Sequence, residues 1–261
     1  MPLDSDLWFR RYHNGPDAEI GLVCFPHAGG AANFYLPMST ALSTTTQVLS
    51  VQYPGRQDRH TEPLIDDIHR LADEVFEAFR PLADRRWAFF GHSMGATVAF
   101  EVARRLDDAG IPPVMLFASG RRAPSSHREE RVHLLDDRGV ISELKALSGT
   151  DTRVFDNPEL VELILPLVRS DYRAIETYRP RSSVPLSCPI VTLVGDTDPL
   201  ATRQEAEAWE QHTTGKFELH TYSGGHFYIN DHRPKVIEVV SSALAAHTNG
   251  DFNGNQRVDS H

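Results

Sequence analysis

Short apolar runs alternate with longer amphipathic stretches along most of this 261-residue chain. The apolar runs predict six strands, at Ile20–Phe25, Val48–Gln52, Trp87–Gly91, Val114–Ala118, Ile190–Val194 and Phe217–Thr221. Several of these runs are hydrophobic without interruption, which is typical of strands that helices cover on both faces. Apolar residues at helical spacing predict intervening helices over Ile65–Phe79, Met94–Asp108 and Lys235–Ala246. The alternation therefore predicts an α/β fold with a mainly parallel sheet.

Residues 121–185 depart from this alternation and predict helices alone. One helix is expected over Leu134–Leu147, and a second is expected to begin with Asn157 as its N-cap and Pro158 at its first position. Pro166 lies inside the second pattern and is expected to break or kink it. An insertion of this length exceeds an ordinary connection. We therefore expect a helical lid over 121–185, a core formed by 1–120 and 186–247, and a disordered polar tail over 248–261.

Charge and composition exclude several classes of function. The chain carries 26 Lys and Arg against 36 Asp and Glu, a net charge of −10, which argues against nucleic-acid binding. No stretch approaches the ~20 apolar residues that span a bilayer, and the first residues lack the apolar segment of a signal peptide. Cys24 and Cys188 lie in apolar contexts, where two reduced, buried thiols are expected. We expect a cytoplasmic protein without a membrane partner, and a monomer.

The pentapeptide Gly91-His92-Ser93-Met94-Gly95 lies between a predicted strand and a predicted helix. This strand–turn–helix context is that of a G-x-S-x-G nucleophile elbow. The turn is tight, so a Cβ atom at either glycine would collide with neighbouring backbone. The N-terminal amides of the following helix favour developing negative charge. We therefore predict that Ser93 is a nucleophile.

A nucleophilic serine needs a base and an orienting acid, which in this architecture follow in the order Ser, Asp or Glu, His. His226 lies in a Gly-Gly loop directly after a predicted strand and is the predicted base. Asp196 and Asp198 both follow the strand Ile190–Val194. Either side chain is able to reach an imidazole from there, and Asp198 is the preferred acid.

An oxyanion hole requires two backbone amides directed at the reacting oxygen. One is expected from the residue after the nucleophile, Met94, and the other from the loop after the first strand. That loop contains the pair Gly29 and Gly30, which permits a close backbone approach, and Ala28 is the preferred donor. The histidines lack the spacing of metal ligands, and no dinucleotide or phosphate-binding motif is present, so no metal or cofactor is expected.

With these residues assembled, the chain resembles the type II thioesterases, free-standing α/β-hydrolases that accompany polyketide synthases and nonribosomal peptide synthetases. The landmarks of the resemblance are Leu7-Trp8-Phe9, Phe25-Pro26-His27-Ala28-Gly29-Gly30, Gln52-Tyr53-Pro54-Gly55-Arg56, Gly91-His92-Ser93-Met94-Gly95, Gly195-Asp196-Thr197-Asp198-Pro199 and Gly224-Gly225-His226-Phe227. The resemblance implies that Asp198, which precedes Pro199, is the acid. It also implies an α/β-hydrolase fold with a mobile helical lid over an acyl chamber.

The reaction implied by the resemblance is hydrolysis of acyl thioesters on the phosphopantetheine arm of acyl or peptidyl carrier proteins, which removes aberrant acyl groups. Leu163, Leu167 and Tyr172 are candidate residues for closing the chamber. Because carrier proteins are typically acidic, the arginines at the two ends of the insertion are candidates for docking. These are Arg121, Arg122, Arg169 and Arg173.

Three other functions remain open from the residues alone. The same triad and oxyanion hole would serve an esterase or lipase on free small esters, or an acyltransferase in which another nucleophile replaces water. A non-catalytic carrier-binding protein with the same fold is a third reading, which the intact Ser93, Asp198 and His226 disfavour.

Overall fold

An eight-stranded sheet forms the centre of the protein. The computed structural model describes residues 4–15, 18–147 and 156–248, together with the backbone of 257–259. The strands are β1 Phe9–Arg10, β2 Ile20–Phe25, β3 Val48–Val51, β4 Arg86–His92, β5 Met115–Ser119, β6 Ile190–Gly195, β7 Phe217–Tyr222 and β8 Arg257–Asp259. Their order is β1-β3-β2-β4-β5-β6-β7-β8, and each neighbouring pair is parallel except β1 with β3. The predicted mainly parallel sheet is confirmed.

Helices cover both faces of this sheet. They are α1 Ser5–Trp8, α2 Leu36–Leu42, α3 Ile68–Phe79, α4 Met94–Asp108, α5 Asp137–Leu147, α6 Pro158–Thr177, α7 Arg203–Glu207, α8 Tyr228–Asp231 and α9 Arg233–Thr248. Alternate side chains of β2 enter two separate cores, because successive residues of a strand point to opposite faces. Val23 packs in the core that contains α3 and α4, whereas Leu22 packs with α2 and α9. Cys24 and Cys188 belong to opposite cores and are both free.

The six predicted strands are present, with ends that match or differ by one residue, and the structure adds two short ones. The two-residue β1 is too short for an alternation to reveal it. The three-residue β8 corrects the disorder predicted for Arg257–Asp259, because the free edge of β7 offers unpaired backbone groups to this segment. The rest of the tail beyond Thr248 lies outside the described residues. Helix α3 begins at Ile68 rather than Ile65, since the Asp67 side chain caps it by accepting from the Arg70 amide.

The insertion predicted between β5 and β6 is helical. It contains α5 and α6, which share a small core of their own that includes Val140, Leu144 and Val168. Residues 148–155, between the two helices, lie outside the described residues. That residues 121–185 act as a mobile lid stays a prediction.

Helix α6 continues through Pro166, so of the predicted break or kink the break is wrong. Proline lacks an amide hydrogen, and the carbonyl of Glu162, four residues earlier, therefore loses its usual helical donor. Pro166 and Glu162 are both exposed, so water is able to hydrate this carbonyl. Asn157 caps the start of the helix by accepting from the amides of Glu159 and Leu160. The cap and the buried face keep the helix intact, although the hydrogen bond lost at Pro166 lowers its stability.

Replacing Pro166 by Ala is therefore expected to stabilise the protein. The new amide restores a donor for the Glu162 carbonyl, and the free energy of unfolding should rise by about 1–3 kcal/mol, reduced by the freedom that alanine returns to the unfolded chain. Urea denaturation measures this change. Glu162→Ala, an exposed change on the same helix, is the matched control and should alter stability by less than about 0.5 kcal/mol. Equal stability of Pro166→Ala and the control would contradict this account of the helix.

Candidate active site

Ser93 occupies a sharp turn between β4 and α4. Its φ of 56° and ψ of −122° lie in a region that non-glycine residues rarely adopt. A Cβ atom on Gly91 would lie 2.3 Å from the Gly95 carbonyl oxygen, and one on Gly95 would lie 2.0 Å from the Phe25 carbonyl oxygen. The Ser93 amide donates to the Ser119 carbonyl at 2.8 Å, which fixes the turn to the end of β5. These contacts hold the largely buried Ser93 at the carboxyl end of β4.

The side chains of Ser93, His226 and Asp198 form a continuous hydrogen-bonded chain. His226 Nε2 lies 2.8 Å from Ser93 Oγ, and His226 Nδ1 lies 2.9 Å and 3.1 Å from the two carboxylate oxygens of Asp198. With its proton on Nδ1, the imidazole donates to Asp198 and accepts from the serine hydroxyl. The side chains of His226 and Asp198 are only 2% and 0% exposed, so solvent does not weaken the contact between them.

The structure brings Asp198, and not Asp196, to the histidine. The Asp196 side chain is exposed and accepts from the Gly224 amide at 2.8 Å, where it supports the turn before His226. One Asp198 oxygen also accepts from the Leu200 amide at 2.8 Å, which fixes the direction of the carboxylate. The two aspartates thus differ in position and in the groups that they bind.

The two predicted oxyanion donors lie beside the serine. Met94 is the first residue of α4, and Ala28 borders the same cavity as Ser93 and His226. In the described part of the chain, the amides of Met94 and Ala28 have no acceptor. That these two amides bind a substrate oxygen stays a prediction.

A buried ion pair fixes the loop that carries Ala28. Asp171, on α6, accepts from the Gly29 amide at 2.7 Å and pairs with the Arg56 guanidinium. Arg56 in turn donates to the Gly30 carbonyl at 3.2 Å. In the sequence, Arg56 stands out only as part of the Tyr-Pro-Gly-Arg landmark, and no pattern predicts a role for Asp171. No local pattern reveals a contact between residues 115 positions apart.

Two further histidines surround His226. The ring centroid of His92 lies 5.2 Å from that of His226 and 6.1 Å from that of His27. Burial, with a smaller effect from His226 and Arg56, lowers the pKa of His27 to about 3. Burial also holds the pKa of His92 well below its ordinary value. Both rings are therefore neutral at physiological pH.

His92 occupies the variable second position of the G-x-S-x-G motif, and hydrogen bonds fix its ring. Its Nδ1 lies 2.8 Å from Ser119 Oγ, which is itself 2.6 Å from the Tyr228 hydroxyl. The Nε2 of His92 is buried and has no partner among the described residues. This series of hydrogen bonds connects β4 to β5 and α8 beside the His226 ring.

A cavity opens from Ser93 and His226 beneath the helical insertion. Apolar side chains of the insertion form much of its wall, among them Val132, Leu144, Leu147, Tyr172 and Ile175. Arg121, Glu130, Glu143 and Glu176 contribute charged groups. The cavity lining is therefore mainly apolar, with four charged side chains among its residues.

Of the three predicted chamber residues, only Tyr172 lines this cavity. Leu163 is 63% exposed, because nine residues at about 100° each place it on the opposite side of α6 from Tyr172. Leu167 is buried in the small core of the insertion and does not border the cavity. The predictions for Leu163 and Leu167 are corrected accordingly, and residues of α5, such as Leu144, take their place.

Most of the predicted docking arginines are buried or form ion pairs within the protein. Arg121 and Arg122 are 8% and 4% exposed, so they do not form a docking surface in this structure. Arg122 pairs with Glu130, and burial lowers the pKa of Arg121 to about 9 at the cavity wall. Arg169 pairs with Asp137. Arg173, paired with Asp66, is the exposed member of the set.

Within the ranges 4–15, 18–147 and 156–248, no cluster of three or more His, Cys, Asp or Glu side chains is arranged to hold a metal. Within the same ranges, no helix combines the length and apolar character needed to cross a membrane.

Comparison with known proteins agrees with this geometry. The thioesterase domain family matches residues 21–244. The chain is 48% identical over 246 residues to the thioesterase PikA5 of Streptomyces venezuelae, which covers 94% of this chain and 88% of that protein. It is 34% identical over 239 residues to the gramicidin S biosynthesis protein GrsT of Aneurinibacillus migulanus, covering 91% of this chain and 93% of the relative.

A solved structure gives the same result. The type II thioesterase BorB from the borrelidin biosynthetic cluster matches with a TM-score of 0.87 and 48% identity, covering 93% of this chain and 99% of that one. The chain therefore belongs to the thioesterase domain family and is a hydrolase that acts on thioesters.

Proposed function

We propose that this protein hydrolyses acyl thioesters carried on the phosphopantetheine arm of acyl or peptidyl carrier proteins, and so removes aberrant acyl groups during polyketide or nonribosomal peptide biosynthesis. The observation that carries the proposal is the Ser93–His226–Asp198 chain at the floor of an apolar cavity. The names of the relatives, PikA5, GrsT and BorB, support the pathway.

In the proposed reaction, Ser93 is the nucleophile. Its Oγ attacks the thioester carbonyl carbon as His226 Nε2 takes the hydroxyl proton, and Asp198 stabilises the imidazolium that forms. The carbonyl oxygen becomes an oxyanion, which accepts from the Met94 and Ala28 amides. A donor of this kind is worth about 3–4 kcal/mol where one has been removed. The partial positive charge at the start of α4 favours the same oxygen.

The tetrahedral intermediate then loses its sulfur. The C–S bond breaks, the phosphopantetheine thiol leaves with the proton held by His226, and the acyl group stays on Ser93 as an ester. Because a thiol has a pKa of ~8.5, it leaves more readily than an amine does. A water molecule, deprotonated by His226, attacks the ester and releases the acid, and the proton returns to Ser93. Each step uses residues of this chain, water and the thioester.

The proposal also covers the location, the oligomeric state, the cofactors and the partner of the enzyme. The enzyme acts in the cytoplasm as a monomer, binds no metal or cofactor of its own, and meets phosphopantetheine only as part of its substrate. Arg173 is exposed, and in this proposal it contributes to the surface that an acidic carrier protein contacts.

Intact-protein mass spectrometry tests the proposed reaction. A carrier protein loaded with acetyl, propionyl or a longer acyl group is expected to lose the acyl mass with wild-type enzyme and to keep it with Ser93→Ala. Loss of the serine nucleophile should lower the rate by about 10⁶-fold. Turnover of nitrophenyl esters combined with no loss from any carrier would instead favour a general esterase.

The two aspartates provide a matched pair for testing the acid. Asp198→Asn reverses the imidazole tautomer and should lower kcat by about 10⁴-fold. Asp196→Asn keeps an oxygen for the Gly224 amide and should change kcat by less than about threefold. Hydrolysis of a small N-acetylcysteamine thioester reports both values. The assignment of Asp198 is wrong if the Asp196 variant is the slower of the two.

The neutral His27 predicts a specific dependence of stability on pH. Its pKa is about 3 in the folded protein and close to 6.5 in the unfolded chain. Between these values the unfolded state binds the extra proton, so the free energy of unfolding falls as the pH decreases from about 6.5 towards 3. By pH 5 this residue should remove about 2 kcal/mol. Denaturation at pH 7 and pH 5 measures the change.

His27→Gln should reduce this dependence by about the same amount, since glutamine does not titrate. His60→Gln, at an exposed position, is the matched control and should leave the pH dependence as in the wild type. An identical dependence in the His27 and His60 variants contradicts the burial effect.

A further inference from the structure

The loop that carries Ala28 is held by groups that lie far from it in the sequence. Asp171 belongs to α6 in the helical insertion and is 1% exposed. Its Oδ2 accepts from the Gly29 amide at 2.7 Å and also contacts the Arg56 guanidinium. This one carboxylate therefore connects the insertion to the peptide that follows the predicted oxyanion donor.

Arg56 holds the same loop from its other side. It is 6% exposed, and its Nε donates to the Gly30 carbonyl at 3.2 Å while Nη1 donates to the Pro54 carbonyl at 2.7 Å. Its guanidinium also lies 5.1 Å from the centre of the Tyr53 ring. The Gly29 amide and the Gly30 carbonyl are thus bound by the two members of one buried ion pair.

The loop is closed by a turn in which the Gly30 amide donates to the His27 carbonyl at 2.9 Å. Asp171 and Arg56 add to this turn, because two consecutive glycines lower the cost of other backbone conformations. Gly29 has a φ of +76°, and without a Cβ atom it adopts other conformations with little penalty. The peptide units on either side of Ala28 share its Cα atom. A displacement of the Ala28–Gly29 peptide moves this shared Cα atom, and the Ala28 amide shifts with it. A donor misplaced by about 1 Å loses most of its value, since amide hydrogen bonds weaken beyond about 3.2 Å.

We propose that Asp171 is a positioning residue: seated against Gly29 and Arg56, it orients the Ala28 amide, so that the oxyanion hole is complete only when α6 is in place. The insertion then affects the rate of the reaction as well as the shape of the acyl chamber. An outward shift of α6 breaks the Asp171–Gly29 hydrogen bond, and the Ala28 amide loses its fixed position. This inference rests on the proposed role of Ala28 in binding the oxyanion.

The experiment measures transition-state binding separately from substrate binding. A trifluoromethyl ketone analogue of the acyl thioester forms a tetrahedral adduct: Ser93 Oγ bonds to its carbonyl carbon, His226 takes the proton, and the oxygen becomes negative. In Asp171→Ala, kcat for an N-acetylcysteamine thioester should fall by about 10–100-fold, less than for a donor removed outright. KM should change by less than about threefold, and the inhibition constant of the ketone should rise in parallel with the fall in kcat.

Two further variants keep the test decisive if Asp171→Ala does not fold. Asp171→Asn retains an oxygen for the Gly29 amide but loses the charge that pairs with Arg56, so a smaller loss of kcat is expected. Arg56→Lys keeps a positive charge, but a single ammonium group does not reach Asp171 together with the Gly30 and Pro54 carbonyls. Its kcat should fall in the same way as that of Asp171→Ala.

Glu101→Gln is the matched control. Glu101 is also a buried carboxylate, 2% exposed, and it pairs with Arg105 and accepts from the Tyr178 hydroxyl just beyond α6. Its loss should lower stability while kcat and ketone affinity stay near the wild-type values. A purely structural role for Asp171 predicts the same outcome for both residues.

The results separate this inference from the proposed function. Wild-type turnover that depends on Ser93, together with unchanged kcat and ketone affinity in the folded Asp171 and Arg56 variants, overturns the inference alone. An equal loss of kcat in Glu101→Gln overturns it as well. Wild-type protein that neither turns over thioesters through Ser93 nor binds the ketone overturns both. A parallel loss of kcat and ketone affinity restricted to Asp171 and Arg56 supports the coupling.

Discussion

The close approach of α4 to the end of β2 is the contact on which the site depends. Gly95 lies so near the Phe25 carbonyl that a Cβ atom would be 2.0 Å from that oxygen. Because no side chain separates them, the first turn of α4 lies directly beside the loop that follows β2. The amide of Met94 and the amide of Ala28 therefore border one space. The strained backbone at Ser93 then directs the hydroxyl into that space.

The sheet, the elbow turn and the close approach of Ser93, Asp198 and His226 were predictable because each has a local signature. Uninterrupted apolar runs mark strands that are covered on both faces, and functional side chains follow the carboxyl ends of such strands. Ser93 comes directly after β4, and Asp198 and His226 follow β6 and β7 closely. Their order along the chain and their positions at strand ends were enough to bring them together.

The features that sequence reasoning missed depend on contacts between distant segments. Nothing near Asp171 indicates that its partners are Arg56 and the Gly29 amide. The cluster at Arg121 and Arg122 suggested a surface, yet burial and the partner Glu130 place both side chains inside. Helical spacing identified an apolar pattern in α6 but not which side faces the cavity. That choice depends on where α5 packs.

The sheet core and the helical insertion both contribute to the electrostatics of the site. His226 lies beside two histidines that burial keeps neutral, so the Asp198 carboxylate is the charged group in direct contact with its imidazole. A proton taken from Ser93 is therefore stabilised by one buried anion and is not opposed by neighbouring imidazolium charges. The insertion covers this arrangement and closes the apolar side of the cavity. It thereby lowers the local dielectric, which strengthens the same carboxylate–imidazolium attraction that the core provides.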